Sequence, residues 1–259
     1  MKIKDALNIA KKKIGTKEAI FILCEHLQKN RAELFLDENL DFDEKPFFEF
    51  VERFDLGEAF EYIFKKAFFY GYEFYVEKGV LIPRYDSEIL LKLLLKVCKE
   101  NNFTNILEIG FGSGILSIIL AKKLNLKIRA CDISESALKV AKKNAEIHGV
   151  SSLIDFVLCD FKDLENDFDL IFSNPPYIAR NYPLDKWVKN EPQEALFGGD
   201  KGYECLEKII HFSKGSKFLL CEFGYDQKNI LKDILDKENF KSEFFKDEQG
   251  FDRAFIAQR

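Results

Sequence analysis

The sequence predicts an α/β fold: a mostly parallel sheet wrapped by helices, closed at one edge by an antiparallel addition and preceded by a small helical domain. Three observations predict it. Through the first ~70 residues, apolar side chains recur at helical spacing. From Asp86 onward, short apolar runs alternate with helical stretches, the signature of strands joined by crossover helices. The last two runs, "KSEFFK" and "RAFIAQ", follow each other across a short turn, so they pair antiparallel.

The elements follow in order. Leu7, Ile9, Ala10 and Ile14 mark one helix, and Ala19, Ile20, Leu23, Cys24 and Leu27 mark another. A third pattern runs through Phe47, Val51, Phe54, Phe60, Ile63, Phe64 and Ala67. "YGYEFYVEKGVLIP" (70–83) reads as two short strands joined at Glu-Lys-Gly. The domains are therefore a helical domain over 1–69, a β-hairpin linker over 70–85 and the α/β domain over 86–259. In the last, a helix near 86–99 precedes the strand "NILEIG", a helix after "GFGSG" and the strand "KIRACD". The helix "SESALKVAKKNAEIHG" starts on an N-cap at Ser134 and stops at Gly149. Strands "IDFVLC" and "DLIFS", a helix near 203–212, the strand "KFLLCEF" and a helix near 227–236 lead to the closing pair.

Composition excludes several classes. At 47% hydrophobic, the 259-residue chain is rich enough in apolar side chains for a packed core, against disorder. No window approaches the ~18–20 continuous apolar residues of a membrane span, and the basic start lacks a signal peptide's apolar region. Six scattered cysteines form no C-x-x-C pair, which fits buried thiols in a reducing, cytoplasmic setting. The three histidines lack metal-ligand spacing, and there is no zinc pattern or Walker loop, so no metal is expected. A net charge of −5 gives no footprint for stable nucleic-acid binding. Charge is uneven, however: residues 33–61 hold eleven Asp/Glu against Lys45 and Arg53. That run reads first as a solvated helical face and second as a docking face for a basic protein.

Two motifs carry chemistry. "ILEIGFGSG" (106–114) runs a strand into Gly110, Gly112 and Gly114 ahead of a helix, where a ligand can approach bare backbone. The dinucleotide fingerprint needs a glycine at Ile115, which counts against NAD or FAD. Asp132 ends the next strand, 22 residues past Gly110, where a carboxylate can grip ribose hydroxyls. Adenosine without pyrophosphate points to S-adenosylmethionine, with Glu108 on the strand leading into the turn. The plainer reading leaves the glycines as a tight turn and Asp132 as the start of a helix.

The second motif is Asn174-Pro175-Pro176-Tyr177, directly after "DLIFS". Both prolines fix φ and lack an N–H, so the segment is stiff and rich in acceptors. The Asn174 side-chain oxygen and the Pro175 carbonyl can grip the two hydrogens of an –NH₂ group, and Tyr177 can pack on the plane that carries it. That grip aims a delocalised nitrogen lone pair at a sulfonium methyl and stabilises the charge that develops. Standing alone, the same tetrapeptide would be only a strand-closing turn.

Asn-Pro-Pro-Tyr resembles the motif of amino-methyltransferases that act on DNA adenine or on protein glutamine. Nearly the whole chain is similar to the HemK/PrmC family of protein-(glutamine-N(5)) methyltransferases. The likeness runs through "AFFYGYEFYVEKGVLIPRYDSEIL", "ILEIGFGSGILSI", "CDISESALKVAKKNA", "FDLIFSNPPYI", "EPQEALFGGDKGYE", "CEFGYDQ" and "GFDRAFIAQR". It implies a seven-stranded, Rossmann-like class I methyltransferase domain behind a helical substrate-recognition domain. The implied activity is methyl transfer from S-adenosylmethionine to the glutamine of the Gly-Gly-Gln motif in peptide chain release factors, leaving S-adenosylhomocysteine. The implied cofactor residues are Glu108, Gly110, Phe111, Gly112, Ser113, Gly114, Asp132, Ile133, Asp160, Phe161 and Asn174. Asn174, Pro175 and Tyr177 are the catalytic expectation; Pro176 and Arg84 join them on the substrate. A monomer is expected, with no membrane partner. Two alternatives stay open: a ribosomal-protein glutamine, and an adenine in nucleic acid.

The chain departs from the family where Glu108 replaces an Asp, "PRYDS" stands for PRPET, and "AFEYIFKKA" replaces P-x-Q-Y-I-x-G. Arg84 and Glu88 read either as residues facing the active site or as an ion pair at a helix start. Glu191 and Gln193 read first as a solvated loop and second as lining of a substrate entrance, and Trp187 reads first as an anchor for its loop and second as a substrate contact.

Overall fold

The computed structural model describes residues 1–259 as two compact units, one formed by Met1–Lys65 with Asp185–Asn190 and the other by Lys66–Leu184 with Glu191–Arg259. In the first, α1 (Ile3–Ile14) and α2 (Thr16–Leu27) are separated by Gly15, whose φ of 96° a side chain would resist. They pack with α4 (Glu44–Asp55) around Ala6, Ala10, Ile22, Leu23, Phe47 and Val51. Between them, α3 (Arg31–Leu36) starts on a capping box in which Asn30 and Glu33 satisfy each other's backbone N–H. The third sequence pattern divides: α4 ends before Gly57, α5 spans Phe60–Phe64, and Ala67 belongs to a strand. Within this unit Trp187 stacks on Phe54 at 4.4 Å, and the Asn190 side chain donates to the Gly57 carbonyl at 2.8 Å.

The second unit opens with an antiparallel hairpin, β1 (Lys66–Phe69) and β2 (Tyr72–Tyr75). The expected hairpin over 70–83 is thus displaced toward the N-terminus, and its turn is Tyr70-Gly71 rather than Glu-Lys-Gly. Both turn residues have positive φ, 51° and 78°, as a two-residue hairpin turn demands. Tyrosine is an uncommon occupant of that region, so the turn does not announce itself in the sequence.

The main sheet alternates strand and helix: α6 (Glu88–Glu100), β3 (Ile106–Ile109), α7 (Ile115–Leu124), β4 (Ile128–Asp132), α8 (Glu135–His148), β5 (Ile154–Leu158) and β6 (Leu170–Ser173). A small pair absent from the sequence reading follows, β7 (Ile178–Ala179) parallel to β8 (Phe197–Gly199). Then come α9 (Glu204–Phe212), β9 (Phe218–Glu222), α10 (Lys228–Lys237), β10 (Lys241–Lys246) and β11 (Asp252–Gln258). Strand order is β10-β11-β9-β6-β3-β4-β5, and β11 is the antiparallel member, inserted between β9 and β10. The expected seven-stranded sheet with its antiparallel edge is therefore present.

Two apolar layers sandwich the sheet, so its central strands are apolar on both faces. Leu170 and Phe172 of β6 join the layer of α6, α7 and α8, whereas Ile171 joins the layer of α9 and α10. Helix α7 is buried from Ile115 through Ala121, which explains its lack of a polar face. The chain runs outward from β3 to β5 and returns at β6 on the other side of β3. That reversal between β3 and β6 is a topological switch point, where open α/β sheets bind ligands at the strands' carboxyl ends. No helix is long and apolar enough to cross a membrane.

Candidate active site

Ile109 and Ser173 are register partners, so Gly110 and Asn174 leave the sheet side by side. The Ser173 hydroxyl reinforces the pairing by donating to the Ile109 carbonyl at 2.6 Å. Both sequence motifs thus converge on the switch point.

Gly110, Gly112 and Gly114 have φ of 72°, 53° and 82°, and they differ in what surrounds them. A Cβ on Gly110 or Gly112 would meet nothing within 4 Å, so the ground before this backbone is open. A Cβ on Gly114 would lie 3.0–3.3 Å from Ile118, Ala141 and Phe156, so that glycine serves helix packing. Asp132, at the end of β4, ties the turn down. One carboxylate oxygen accepts from the Gly112 N–H and the other from the Ser134 N–H, each at 2.9 Å. A carboxylate has about four acceptor positions, so lone pairs remain for a ligand. Burial raises the Asp132 pKa, while those N–H groups pull it back.

The Phe111 and Ser113 side chains are buried, which leaves their backbone to a ligand. Phe111 packs edge-on against Phe156, and the Ser113 carbonyl accepts from Asn144 at 2.9 Å. Ile133 is exposed just past Asp132. Asp160 caps the short turn Phe161–Asp163 by accepting from the Lys162 N–H, and Phe161 stands half-buried, edge-on to Phe212 at 5.3 Å. Glu108 points inward. It is 1% exposed, accepts from the Ser117 hydroxyl of α7, and has its pKa pushed up to about 8 by burial, with the Asp132 charge adding to the rise.

The Asn174-Pro175-Pro176-Tyr177 segment is held from several sides. The Asn174 Nδ2 donates to the Ser87 Oγ at 2.9 Å, which leaves the amide oxygen Oδ1 as its outward acceptor. The Tyr177 hydroxyl donates to Glu222 Oε1 at 3.1 Å, and the Tyr177 carbonyl accepts from the Gln227 side chain at 2.8 Å. Behind the segment, a Cβ on Gly198 would stand 2.4 Å from the Pro176 carbonyl oxygen, and one on Gly202 would stand 2.5 Å from that of Tyr177. Gly198 and Gly202 of "LFGGDKG" permit this close backbone approach, whereas a Cβ on Gly199 would meet the Glu204 side chain. Glu222, wholly buried at the end of β9, has its pKa pushed up to about 7 by burial, against the pull of Ser87, Arg253 and Tyr177. Burial and the Glu222 charge in turn hold the Tyr177 phenol well above its usual range.

Sequence reasoning missed Ser87, Glu222 and Gln227. A glutamate inside an otherwise apolar strand was the available signal, because an acid there is buried and needs partners. Two readings change. Glu191 is not solvated: it is 6% exposed, pairs with Arg84 and accepts from the Ile82 N–H at 3.1 Å. The Arg84 guanidinium accordingly meets Glu191, while Glu88 lies 3.9 Å from Lys92.

A seven-stranded sheet with β11 antiparallel, a glycine turn after β3, an acidic end to β4 and an Asn-Pro-Pro-Tyr exit from β6 define a class I methyltransferase. The Methyltransferase small domain family matches residues 86–189. A solved methyltransferase from Pyrococcus furiosus shares the fold at a TM-score of 0.56 and 21% identity, over 73% of this chain and 89% of that one. The release factor glutamine methyltransferase of Dictyoglomus turgidum is 38% identical over 92% of this chain and 89% of its own length. That of Clostridium acetobutylicum is 32% identical over 100% and 99%. The chain belongs to the release factor glutamine methyltransferase family.

Proposed function

We propose that the chain transfers a methyl group from S-adenosylmethionine to the side-chain amide nitrogen of the Gly-Gly-Gln glutamine in peptide chain release factors. The observation that carries the chemistry is the Asn174 amide, its nitrogen held by Ser87 and its oxygen left outward, beside the open Gly110 turn. Family membership carries the substrate.

The residues present fit the cofactor. Open ground over Gly110 and Gly112 admits it, Asp132 has lone pairs for ribose hydroxyls, and Phe161 offers a ring face to adenine beside Asp160 and Ile133. Phe111, Ser113 and Gly114 shape the turn, and Glu108 supports it from behind through Ser117. Bound S-adenosylmethionine would supply an electrophilic sulfonium methyl and leave as S-adenosylhomocysteine. The chain's own residues do the rest. Asn174 Oδ1 and the Pro175 carbonyl accept the two N–H bonds of the substrate amide and stabilise positive charge growing on nitrogen. Pro175 and Pro176 keep those acceptors in place, and Tyr177, its hydroxyl anchored on Glu222, presents its ring to the amide plane. The nitrogen forms its bond to the methyl carbon as the carbon–sulfur bond breaks, and then loses a proton to solvent. Arg84 belongs to the substrate-binding wall through its pair with Glu191. The protein acts as a cytoplasmic monomer without stable nucleic-acid binding, and its helical unit recognises the protein substrate.

The test is transfer of labelled methyl to purified release factor, beside a Gln→Ala version of its Gly-Gly-Gln motif, a ribosomal-protein mixture and duplex DNA. Label on the intact release factor alone is expected. Label on the ribosomal protein or on DNA instead would overturn the substrate assignment.

A further inference from the structure

The Pro175 carbonyl, one of the two acceptors of the amide grip, takes no hydrogen bond from the protein, so the chain on either side of it must hold it in place. Upstream the sheet does so, because Ser173 is paired with Ile109 on one side and Cys221 on the other. Downstream, the peptide between Tyr177 and Ile178 is held at both edges. Its N–H donates to the Leu196 carbonyl at 2.9 Å, and its C=O accepts from Gln227 Nε2 at 2.8 Å. Gln227 is 6% exposed and is itself fixed twice over. Its backbone N–H donates to the Gly224 carbonyl at 2.9 Å, and its side-chain Oε1 accepts from the Gly224 N–H at 3.0 Å, which closes the turn between β9 and α10. Gly202 leaves room for this reach, since a Cβ there would stand 3.0 Å from Gln227 Nε2 as well as 2.5 Å from the Tyr177 carbonyl oxygen.

Resting on the amide grip assigned above, we propose that Gln227 is a positioning residue for methyl transfer, whose side chain clamps the Tyr177 carbonyl and thereby sets where the Pro175 carbonyl stands. A side-chain amide has a donor at one end and an acceptor at the other, and here both are used. The acceptor end ties Gln227 to the turn that follows β9, and the donor end carries that rigidity across to the exit of β6. Among the torsions between the Pro175 and Tyr177 carbonyls, φ of Pro176 is closed by its ring, so the first carbonyl follows the second. Without the clamp, the peptide after Tyr177 keeps only its bond to Leu196, on a strand of two residues, and can swing about it. The Pro175 oxygen then drifts relative to Asn174 Oδ1, and the substrate –NH₂ meets two acceptors at the wrong spacing. Misplacement by about 1 Å costs up to about 10²-fold in rate. Neither the Gly110 turn nor Asp132 shares a hydrogen bond with Gln227, so the effect falls on turnover and not on cofactor binding. Closing the turn and clamping Tyr177 are chemically separable duties. A carboxylate at position 227 still accepts from Gly224 but has no proton for Tyr177.

The deciding experiment reads the clamp and the rate together in the full-length protein. Tyr-Ile occurs twice in the chain, as Tyr62-Ile63 and Tyr177-Ile178, so ¹³C-carbonyl tyrosine with ¹⁵N-isoleucine gives two peaks in an HNCO spectrum. Loss of one in Tyr62→Phe assigns both. At pH 8.5, where the introduced carboxyl is ionised, Gln227→Glu should move the Tyr177 carbonyl signal and leave that of Tyr62 in place. Its kcat for methyl transfer should fall by about 10- to 10²-fold, with KM and S-adenosylhomocysteine affinity little changed. Gln227→Met, which keeps the length and removes both bonds without burying a charge, should do the same and decides the matter if Gln227→Glu fails to fold. A Tyr177 signal that moves without loss of kcat, or a kcat that falls with that signal in place, overturns the inference. So does a loss of kcat confined to Gln227→Met while Gln227→Glu has moved the signal, because Gln227 would then serve its turn alone. A wild type that labels no protein glutamine refutes the substrate assignment instead, and kcat is then followed on the amine that is labelled.

Discussion

Glu108→Gln tests whether a carboxyl behind the glycine turn is held neutral. The wild-type side chain is 1% exposed and its pKa is pushed from an ordinary 4.5 to about 8, chiefly by burial. Between those values the native state keeps a proton that the unfolded chain has released, so stability falls as pH rises. Each pKa unit corresponds to about 1.4 kcal/mol. Little of the effect has developed at pH 5, and it is nearly complete at pH 9. The wild type should thus lose about 4 kcal/mol over that range through this group alone. Glutamine keeps the volume and an acceptor for Ser117 and does not titrate. Urea denaturation of both proteins at pH 5, 7 and 9 measures the difference. Far-UV circular dichroism is the right probe, because the single tryptophan, Trp187, lies in the helical unit. The gap should move in favour of the variant by about 4 kcal/mol from pH 5 to pH 9. Parallel pH profiles for the two proteins would refute the claim that Glu108 is protonated at neutral pH.

Four further outcomes are expected. Asn174→Ala should lower kcat by at least about 10²-fold while S-adenosylhomocysteine titrations stay unchanged; comparable loss of both would make Asn174 a cofactor residue first. Gly112→Ala and Gly114→Ala should part company. The first puts a methyl on open ground and should weaken cofactor binding at a strain cost of about 1–2 kcal/mol. The second forces a Cβ to within 3.0 Å of Ile118 and should destabilise by about 1–3 kcal/mol beyond the same strain, read from melting curves. Trp187→Ala removes the stack on Phe54, worth about 1 kcal/mol beyond its area, and should speed trypsin cleavage after Lys186 and Lys189; an unchanged rate would show that the stack does not anchor the segment. Reversing several charges within 33–61 should weaken the salt dependence of release factor methylation, and an unchanged dependence would remove that face from recognition.

The sheet was legible because its signals are local and strong. Glycines and caps punctuate the alternating runs: Ser134 accepts from the Ala137 N–H and Gly149 ends α8 with a φ of 70°, as their sequence positions imply. Helix α3 was legible too but passed unread, since "NRAE" is a capping box in plain view. The Tyr70-Gly71 turn was not, because propensity rules weigh against a tyrosine at positive φ. The β7–β8 pair is set by contacts across residues 178–199, beyond any local pattern. The two motifs stand out in the sequence, whereas the residues that brace them do not. Ser87 reaches Asn174 across 87 residues and Glu222 reaches Tyr177 across 45, and neither spacing has a sequence signature.

The two buried glutamates show what that support does. Glu108 on β3 and Glu222 on β9 interrupt apolar strands on either side of β6, and each lies behind one of the two ligand-facing turns. An acid in such a place is costly when charged, so its retention needs a reason. For Glu108 the reason is its tie to α7, where it accepts from the Ser117 hydroxyl. Burial, with the Asp132 charge adding to it, pushes the carboxyl's pKa up to about 8 and favours the protonated acid, which binds the helix to the strand as a neutral group. Glu222 lacks a neighbour that forces the issue, because Arg253 is shared with Asp86 and Asp247. What it holds is Tyr177, whose hydroxyl donates to Oε1 at 3.1 Å.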